Sequence, residues 1–432
     1  MCKQQKQSQI ICVVTVFLII YLLHSHSNGR GHSAIQPARS MEGVRTGLQQ
    51  IGSVANLAVY SVFLDRRMSD NQTEHRALNG HINGVLRIIL VKKREFRPRL
   101  RCIFPDKTEV PSRDLRGSDF HFYELTENHQ RPYGGYTVHC DVPPDAQLHG
   151  LVVISMDEPD RGAALLPIIH ADAPKMNRLP SQTPPHSSHF RYRFAVCVPA
   201  LHHLANFNLA FLGDWFEVHI RLGVTKFRIY YSEVLSGALK SLFFSLQNRV
   251  EVDLIPFFWP GNDQAISRDS WYYLQTTTVN DCLLRSLYDT EYVFFGDLDE
   301  ILVPHQAGIV DWDGLVQAVW KDTRVPGICF PTHEFHTAPS KSFSLAANIL
   351  RTAQMDPFRT KCLVQPTAIF EMGIHHISKP YEEASLRIQP KLNITQYAFI
   401  HHYKKFPPLQ RAPKGKTDFV VDGSILKWLG QN

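Results

Sequence analysis

The residues of this chain best suited to chemistry sit together in EYVFFGDLDEIL, Glu291 to Leu302. Tyr292, Val293, Phe294 and Phe295 read as a buried strand. The run then breaks into Asp297, Asp299 and Glu300 before apolar residues resume at Ile301 and Leu302. Carboxylates this close repel one another and are costly to desolvate, so a cation belongs beside them. In an extended segment residues i and i+2 face the same way, which lets Asp297 and Asp299 offer two oxygens to one divalent ion. Oxygen ligation suits a hard cation, Mn²⁺ or Mg²⁺, whose open positions take water and a diphosphate. Such an ion neutralises the charge that builds on a departing phosphate oxygen. Glu300 reads as a supporting group or as a residue turned toward a loop.

An acidic-x-acidic triplet alone is a weak signal, and this chain has others. Asp311 of Asp311-Trp-Asp313 reads as the N-cap of a helix over DGLVQAVW. Glu251 and Asp253 fit the outward face of an alternating strand. The 297–299 pair differs because it follows a fully apolar strand within a βα series. Six histidines lie between Pro331 and Tyr403: His333, His336, His375, His376, His401 and His402. HEFH lacks the spacing of a zinc protease, whereas one imidazole completing an octahedral Mn²⁺ site is chemically sensible.

The elements that must position these groups follow from periodicity. Residues 55–170 read as short strands without helix-period segments, a small β-sandwich-like module. The Pro/Ser/His-rich stretch 171–189 reads as a linker. From residue 190 strands and helices alternate: RYRFAVCVPA, a helix placing Phe211, Trp215, Val218 and Leu222 on one face with Gly223 as its stop, then VTKFRIYY, LSGALKSLFFSLQNR, VEVDLIPFF, a helix over 269–288, and EYVFFGDLDE. Such alternation implies a mostly parallel, Rossmann-type α/β sheet. Ligands of such sheets sit outside the carboxyl ends of the strands, where Asp297 and Asp299 fall.

At 432 residues, 44% hydrophobic and 20% charged, the chain has room for two domains. The net charge of +6 is mild. Its one dense basic stretch, His401 to Lys416, has no nucleic-acid motif, so nucleic acid is not an expected partner. At the N-terminus a basic tail, 1–9, precedes an apolar run, 10–23, shorter than the ~20 residues of a typical span. It reads either as a cleaved signal peptide or, as we favour, as a short signal-anchor followed by a polar stem, 24–54. Both place the rest of the chain, 190–432 included, in the secretory lumen. Six further cysteines, Cys102, Cys140, Cys197, Cys282, Cys329 and Cys362, permit full pairing, and Cys102 with Cys140 is the first expected pair. Asn71 and Asn393 head N-glycosylation motifs.

From Phe194 to Lys405 the chain resembles glycosyltransferase family 92, the former DUF23 group, in its animal-type members. AVCVPALHH is similar to the family's first strand. DWFEVHIRLGVTKFRIYY resembles its next block through Glu217, His219, Gly223 and Val224. NDCLLRSLYDTEYVFFGDLDEIL resembles the "DC…D-x-DE" core, and KCLVQPTAIFEMGIHHI with IHHYKKF the closing segments. The resemblance implies a Golgi type II membrane protein with a GT-A catalytic domain and Mn²⁺-dependent, inverting transfer from a nucleotide sugar. The family's characterised activities are similar to β-1,4-galactosyl transfer from UDP-galactose onto glycan or glycoprotein acceptors. Where plant members carry an aspartate after the second strand's tyrosine, this chain reads Tyr230-Tyr231-Ser232-Glu233, so base recognition is expected to rely on Glu233 or on another group.

Inversion needs a general base for the acceptor hydroxyl, opposite the leaving diphosphate. Glu334 is the first candidate, then Asp356 and Glu371. His376 and His402 are level as the third metal contact, with His375 behind. Lys361 is placed at the diphosphate as a point charge. Asp281 is a donor-side candidate within the core motif, or a helical partner of Arg285. Asp299 is the metal ligand on which catalysis is expected to depend. Two other classes share these residues. One is a metal-dependent hydrolase, which would turn over nucleotide without acceptor. The other is a glycan-binding relative lacking catalysis, against which the retention of Asp297 and Asp299 argues.

Overall fold

Strand-forming sequence dominates both halves of the chain, and a computed structural model resolves it into two large mixed sheets carrying helices, an α/β fold. The described residues are 48–430 apart from 52–55, 69–82, 115–118, 147, 149, 157–161, 173–189, 203–207, 260–267, 322–324, 338–343, 382–392 and 405–417. Thr46–Asn432 cluster as one compact unit.

The first sheet contains β1 (Gln49–Gln50), β2 (Leu57–Asp65), β3 (Val85–Lys93), β4 (Leu100–Ile103), β5 (Glu109–Pro111), β6 (Tyr123–Glu124), β7 (Tyr133–Asp141), β8 (Leu151–Met156) and β9 (Ala163–Ile169). Its order is β5-β4-β8-β9-β2-β3-β7-β6, with β1 beside β2. Only β2 and β9 run parallel. Arg113, just past β5, exchanges both backbone hydrogen bonds with His139 of β7, and the expected disulfide Cys102–Cys140 ties β4 to β7. The two ends of the strand path therefore meet. The module expected to be sandwich-like is one sheet curled around an apolar interior that includes Val59, Leu86, Ile88 and Val138.

The second sheet begins with β10 (Tyr192–Leu201), β11 (Lys226–Tyr231), β12 (Glu251–Pro256) and β13 (Thr290–Phe295), all parallel in the order β12-β11-β10-β13. Between them lie α1 (Leu209–Arg221), α2 (Gly237–Leu246) and α3 (Gln275–Arg285). Asn208 caps α1 by accepting from the Ala210 and Phe211 amides. Phe211, Trp215, Val218 and Leu222 are buried as their spacing predicts. Gly223 follows at φ +100°, the left-handed position that ends a helix without a Cβ penalty. Beyond β14 (Glu300–Pro304), α4 (Trp312–Val319) is capped by Asp311, whose Oδ1 accepts from the Gly314 amide at 2.8 Å, as expected.

The remaining strands are β15 (Gly327–His336), β16 (Leu350–Thr352), β17 (Asp356–Val364), β18 (Ile369–Met372), β19 (Ile377–Pro380), β20 (Ala398–Lys404) and β21 (Phe419–Val421). Here the expectation of a mostly parallel sheet gives way to a mixed one. β17 runs antiparallel to both β13 and β15, and β20 antiparallel to β14. No α-helix lies between β15 and β20 among the described residues, and antiparallel neighbours need no helical crossover. Disulfides Cys197–Cys282 and Cys329–Cys362 complete the pairing of the six cysteines.

The membrane-anchor expectation is corrected. Among the described residues no helix is long and apolar enough to cross a membrane. The longest has 13 residues, against the ~20 that a span needs. The segment 10–23 lies outside the described residues, as do the tail 1–9, Asn71 and most of the linker. The type II topology, the Golgi-membrane location and the membrane partner that rested on that segment are withdrawn.

The two sheets share a core. Ala58, Tyr60, Phe63 and Ile89 of the first pack with Ala195 and Val293 of the second and with Val279 and Leu283 of α3. Contact is closest where a Cβ on Gly135 of β7 would overlap Thr277 Oγ1 of α3. A buried ion pair adds to this: Asp65 binds Arg67 at 2.7 Å, and Arg67 also donates to the carbonyls of Pro366, Thr367 and Ile369. Burial pushes the Asp65 carboxyl up, but Arg67 and Arg87 outweigh it and hold its pKa at about 2. A depressed carboxyl stabilises the fold above its unfolded pKa and loses that contribution as pH falls toward 2. Asp65→Asn is expected to cost about 3–5 kcal/mol at pH 7 by stranding buried arginines, and to flatten the loss of urea stability between pH 4 and pH 2. Gly135→Ala should cost about 1–3 kcal/mol by overpacking. Gly213→Ala on α1, with open space around it, should be neutral or stabilising by up to about 1 kcal/mol. Urea midpoints of the three variants check all of this.

Candidate active site

Asp297, Leu298 and Asp299 form a tight turn between β13 and β14, closed by the Glu300 amide on the Asp297 carbonyl at 3.0 Å. Leu298 is buried in the apolar cluster that contains Trp215 and Phe294. That anchor turns the flanking carboxylates the other way, into a cleft of about 730 Å³ that both line. Asp297 is 36% and Asp299 42% exposed at the side chain. The paired presentation expected from an extended segment is thus achieved by a turn. Its backbone is fixed from two sides: Trp215 Nε1 of α1 donates to the Glu300 carbonyl at 2.9 Å, and the Tyr403 amide of β20 to the Asp299 carbonyl at 2.8 Å.

The cation that the acidic turn required is Lys361 of β17. Its Nζ lies 3.0 Å from Asp297 Oδ2 and 3.1 Å from Glu300 Oε2, with the side chain 3% exposed. Burial works against the charge, but Asp297 and Glu300 hold the ammonium's pKa above its ordinary value. Burial also pushes the Glu300 carboxyl up, and Lys361 and then His402 outweigh it, leaving the pKa below the usual range. Glu300 accepts from the Asp297 amide as well, so it supports the turn from behind. Gln275, the first residue of α3, donates to Asp297 Oδ1 at 3.1 Å. Lys361 is therefore spent on carboxylates and does not line the cleft.

Of the expected metal contacts, the structure brings His402 and not His376 to the pair. His402 Nε2 is 3.6 Å from Asp299 Oδ2, and its Nδ1 is 3.6 Å from Glu300 Oε1 across the β14–β20 ladder. Burial lowers its pKa, but Glu300 and Asp299 more than offset this and raise it overall. His376 is exposed, 3.7 Å from Glu127, whereas His375 lines the cleft. Two aspartates with one imidazole are a donor set that fits a hard divalent ion.

A second set lies on the other face of β20. His305, His401 and Asp422 place their ligating atoms within 4.8 Å of one another, a candidate divalent-cation cluster among the described residues. The two Nε2 atoms are 3.0 Å apart, and Asp422 also accepts from Arg351 at 2.7 Å. Of His305, His401 and His402, the sequence reading offered only His402 to a metal; that adjacent His401 and His402 serve opposite faces follows from strand alternation.

The remaining expected residues fall further out. Glu334 of β15 is ion-paired with Lys404, with Arg359 Nη1 4.0 Å away. Lys404 and Arg359 line the cleft and Glu334 does not. Asp281 is fully buried at the junction of the two sheets, where it accepts from Ser61, Tyr230 and Arg285. Glu233 is exposed beyond the end of β11, outside the lining, and Asn393 is exposed. The cleft also holds residues that the sequence reading passed over: Arg359, Lys404 and Gln275, with Glu127 and His129 from the first sheet. Arg359 carried a legible signal, since it alternates with Lys361 on one strand.

Replacing Lys361 with Met leaves Glu300 buried against Asp297 without its cation. A loss of about 3–5 kcal/mol in urea stability is expected. A loss under about 1 kcal/mol would show that the turn does not depend on this pair.

The chain is similar to known proteins. It is 24% identical over 294 residues to "Beta-1,4-galactosyltransferase galt-1" of Caenorhabditis elegans, covering 67% of this chain and 65% of that protein. It thus spans just under two thirds of that relative's length. The solved structure of HddC from Yersinia pseudotuberculosis aligns over 55% of this chain and 97% of its own at 9% identity, but the TM-score of 0.23 is too low to carry an argument. The description of glycosyltransferase family 92 matches residues 192–420, more than half the chain and all of the acidic turn, and the chain belongs to that family.

Proposed function

We propose that the chain transfers a sugar, galactose in the first instance, from a UDP-sugar to a glycan or glycoprotein acceptor with inversion. The observation that carries this reading is the acidic turn itself: Asp297 and Asp299 face a cleft whose lining cations are Arg359, 59% exposed, and Lys404, which also pairs with Glu334. An acidic pair beside two cations matches a metal-bridged diphosphate better than a neutral ligand. Family membership supports glycosyl transfer, and the name of the worm relative supports galactose and the β-1,4 linkage. On this reading residues 190–432 form a GT-A-like catalytic domain, preceded by the β-rich module of 55–170.

Asp297, Asp299 and His402 would hold the Mn²⁺ or Mg²⁺. When bound, the ion supplies Lewis-acid neutralisation of the leaving diphosphate. Lys361 and Gln275 fix the Asp297 carboxylate, which spares reorganisation when charge develops. Arg359 and Lys404 are placed to offset the remaining phosphate charge. Asp281 acts at a distance by holding α3, and hence Gln275, against both sheets. Glu233 stays a candidate for the uracil edge.

The test is UDP release from UDP-galactose by the full chain, with a pool of N-glycans present or absent, in Mn²⁺ or in EDTA. Release should require metal and acceptor, and Asp299→Asn should lower it at least ~100-fold, the scale of losing transition-state charge stabilisation. Rapid release without acceptor would point to a hydrolase. A folded protein that neither binds nor turns over a UDP-sugar would overturn the reading.

A further inference from the structure

Inversion requires a general base in the cleft to take the acceptor's proton, and the carboxylates first expected to do so are occupied elsewhere. Glu334 is paired with Lys404. Asp356 caps the turn before Arg359 through the Phe358 and Arg359 amides. Glu371 is buried and accepts from Tyr123 Oη and the Thr126 amide of the first sheet. None of the three lines the cleft. The lining carboxylates among the described residues are Asp297, Asp299, Glu300 and Glu127. Asp297 and Glu300 bind Lys361, and Asp299 faces His402.

Resting on the transferase reading above, we propose that Glu127, contributed by the curled first sheet, is the general base. Its Oε2 accepts from the Ile374 amide at 2.7 Å, while Oε1 lies 3.7 Å from His376 Nδ1, beyond hydrogen-bond reach. One oxygen is anchored by a backbone donor, and the other faces only the exposed imidazole of His376. The backbone at Glu127 is left-handed at φ +64°, as at His129 and Gln130. Glutamate gains nothing locally from that conformation, and such outliers cluster where function holds a side chain in place. The loop is clamped to keep it there. Asn128 exchanges two hydrogen bonds with the backbone of Gly135, Glu371 grips Tyr123 and Thr126, and His129 packs on Trp271 at 4.1 Å. Glu371 is thus a positioning residue for this loop. In the step proposed, the acceptor oxygen bonds to the anomeric carbon as its proton passes to Glu127. The bond from that carbon to the phosphate oxygen breaks, and its electron pair leaves on UDP.

The test compares Glu127→Gln, Glu127→Asp and Glu334→Gln in the full chain. Readouts are acceptor-dependent UDP release from UDP-galactose with the N-glycan pool, UDP binding in Mn²⁺ by calorimetry, and melting temperature. Glutamine can still accept from Ile374, so folding and UDP binding should stay within about twofold of wild type. Release should fall at least ~100-fold, as for loss of a general base. Glu127→Asp, which keeps a carboxylate on a shorter arm, should regain part of the rate with UDP binding unchanged, which a merely structural role would not restore. Glu334→Gln should keep more than a tenth of the wild-type rate. If Glu127→Gln keeps that much, if it loses UDP binding in proportion, or if Glu334→Gln is the variant that fails, the assignment is overturned while the transferase reading stands. A wild-type chain that neither binds UDP nor releases it overturns both.

Discussion

A buried ammonium shared by one buried and one half-exposed carboxylate, where a parallel strand ends, sets the geometry of everything around the cleft. Lys361 reaches Asp297 and Glu300 together, and its own strand pairs with β13 antiparallel through Val293–Val364 and Phe294–Leu363. Continuing that register puts Lys361 level with Gly296, one residue before the turn. The antiparallel half of the sheet is therefore what delivers the counter-charge to the acidic half. A buried pair of this kind adds little net stability, but losing one member leaves an uncompensated charge. Its value lies in fixing which way the acidic turn faces. Asp297 is held by two donors and Glu300, though it lines the cleft, is buried against Lys361, which leaves Asp299 and the outer side of Asp297 to meet a ligand.

The first sheet belongs to the same piece of machinery. Its outer face shares a core with α3 and the parallel strands, and Asp281 stitches the layers by accepting from Ser61 of β2, Tyr230 of β11 and Arg285 of its own helix. The same helix begins at Gln275, which touches Asp297. Displacing the first sheet would move the helix that carries a ligand-positioning amide. The glycine at 135 fits this reading, because the approach of β7 to Thr277 leaves no room for a side chain. The same sheet also supplies one wall of the cleft through Glu127 and His129.

Features governed by neighbours in the chain were legible in the sequence. The caps at Asp311 and Gly223, the buried face of α1 and the strand before the acidic turn all follow from short-range pattern; the pairing of Cys102 with Cys140, 38 residues apart, followed only from their shared β-rich region. The family resemblance, read from Phe194 to Lys405, falls within the residues 192–420 that the family matches. What escaped was set by partners remote in sequence. A lysine in an alternating strand gives no sign whether it meets water or two carboxylates 61 and 64 residues earlier. The parallel expectation failed where helices stopped appearing between strands. An apolar run of 14 residues, 10–23, suggested a membrane span that no described helix supplies.

The cleft's irregular backbone shows the limit most clearly. Tyr272, Tyr273 and Leu274 are all left-handed, as are Glu127, His129 and Gln130 on the facing loop, and none is glycine or asparagine. Each such residue costs on the order of 1–3 kcal/mol, so neither segment would hold this shape alone. The two meet through His129 on Trp271, while Arg131 lies 5.5 Å from the same indole. Each run is braced by the other and by its own sheet, so the strain is tolerated only after both sheets have docked. A cleft built from two segments with no local preference for their conformation leaves little trace in either segment's sequence. It also makes the spacing between the acidic turn and the opposite wall a property of the docked pair rather than of either half.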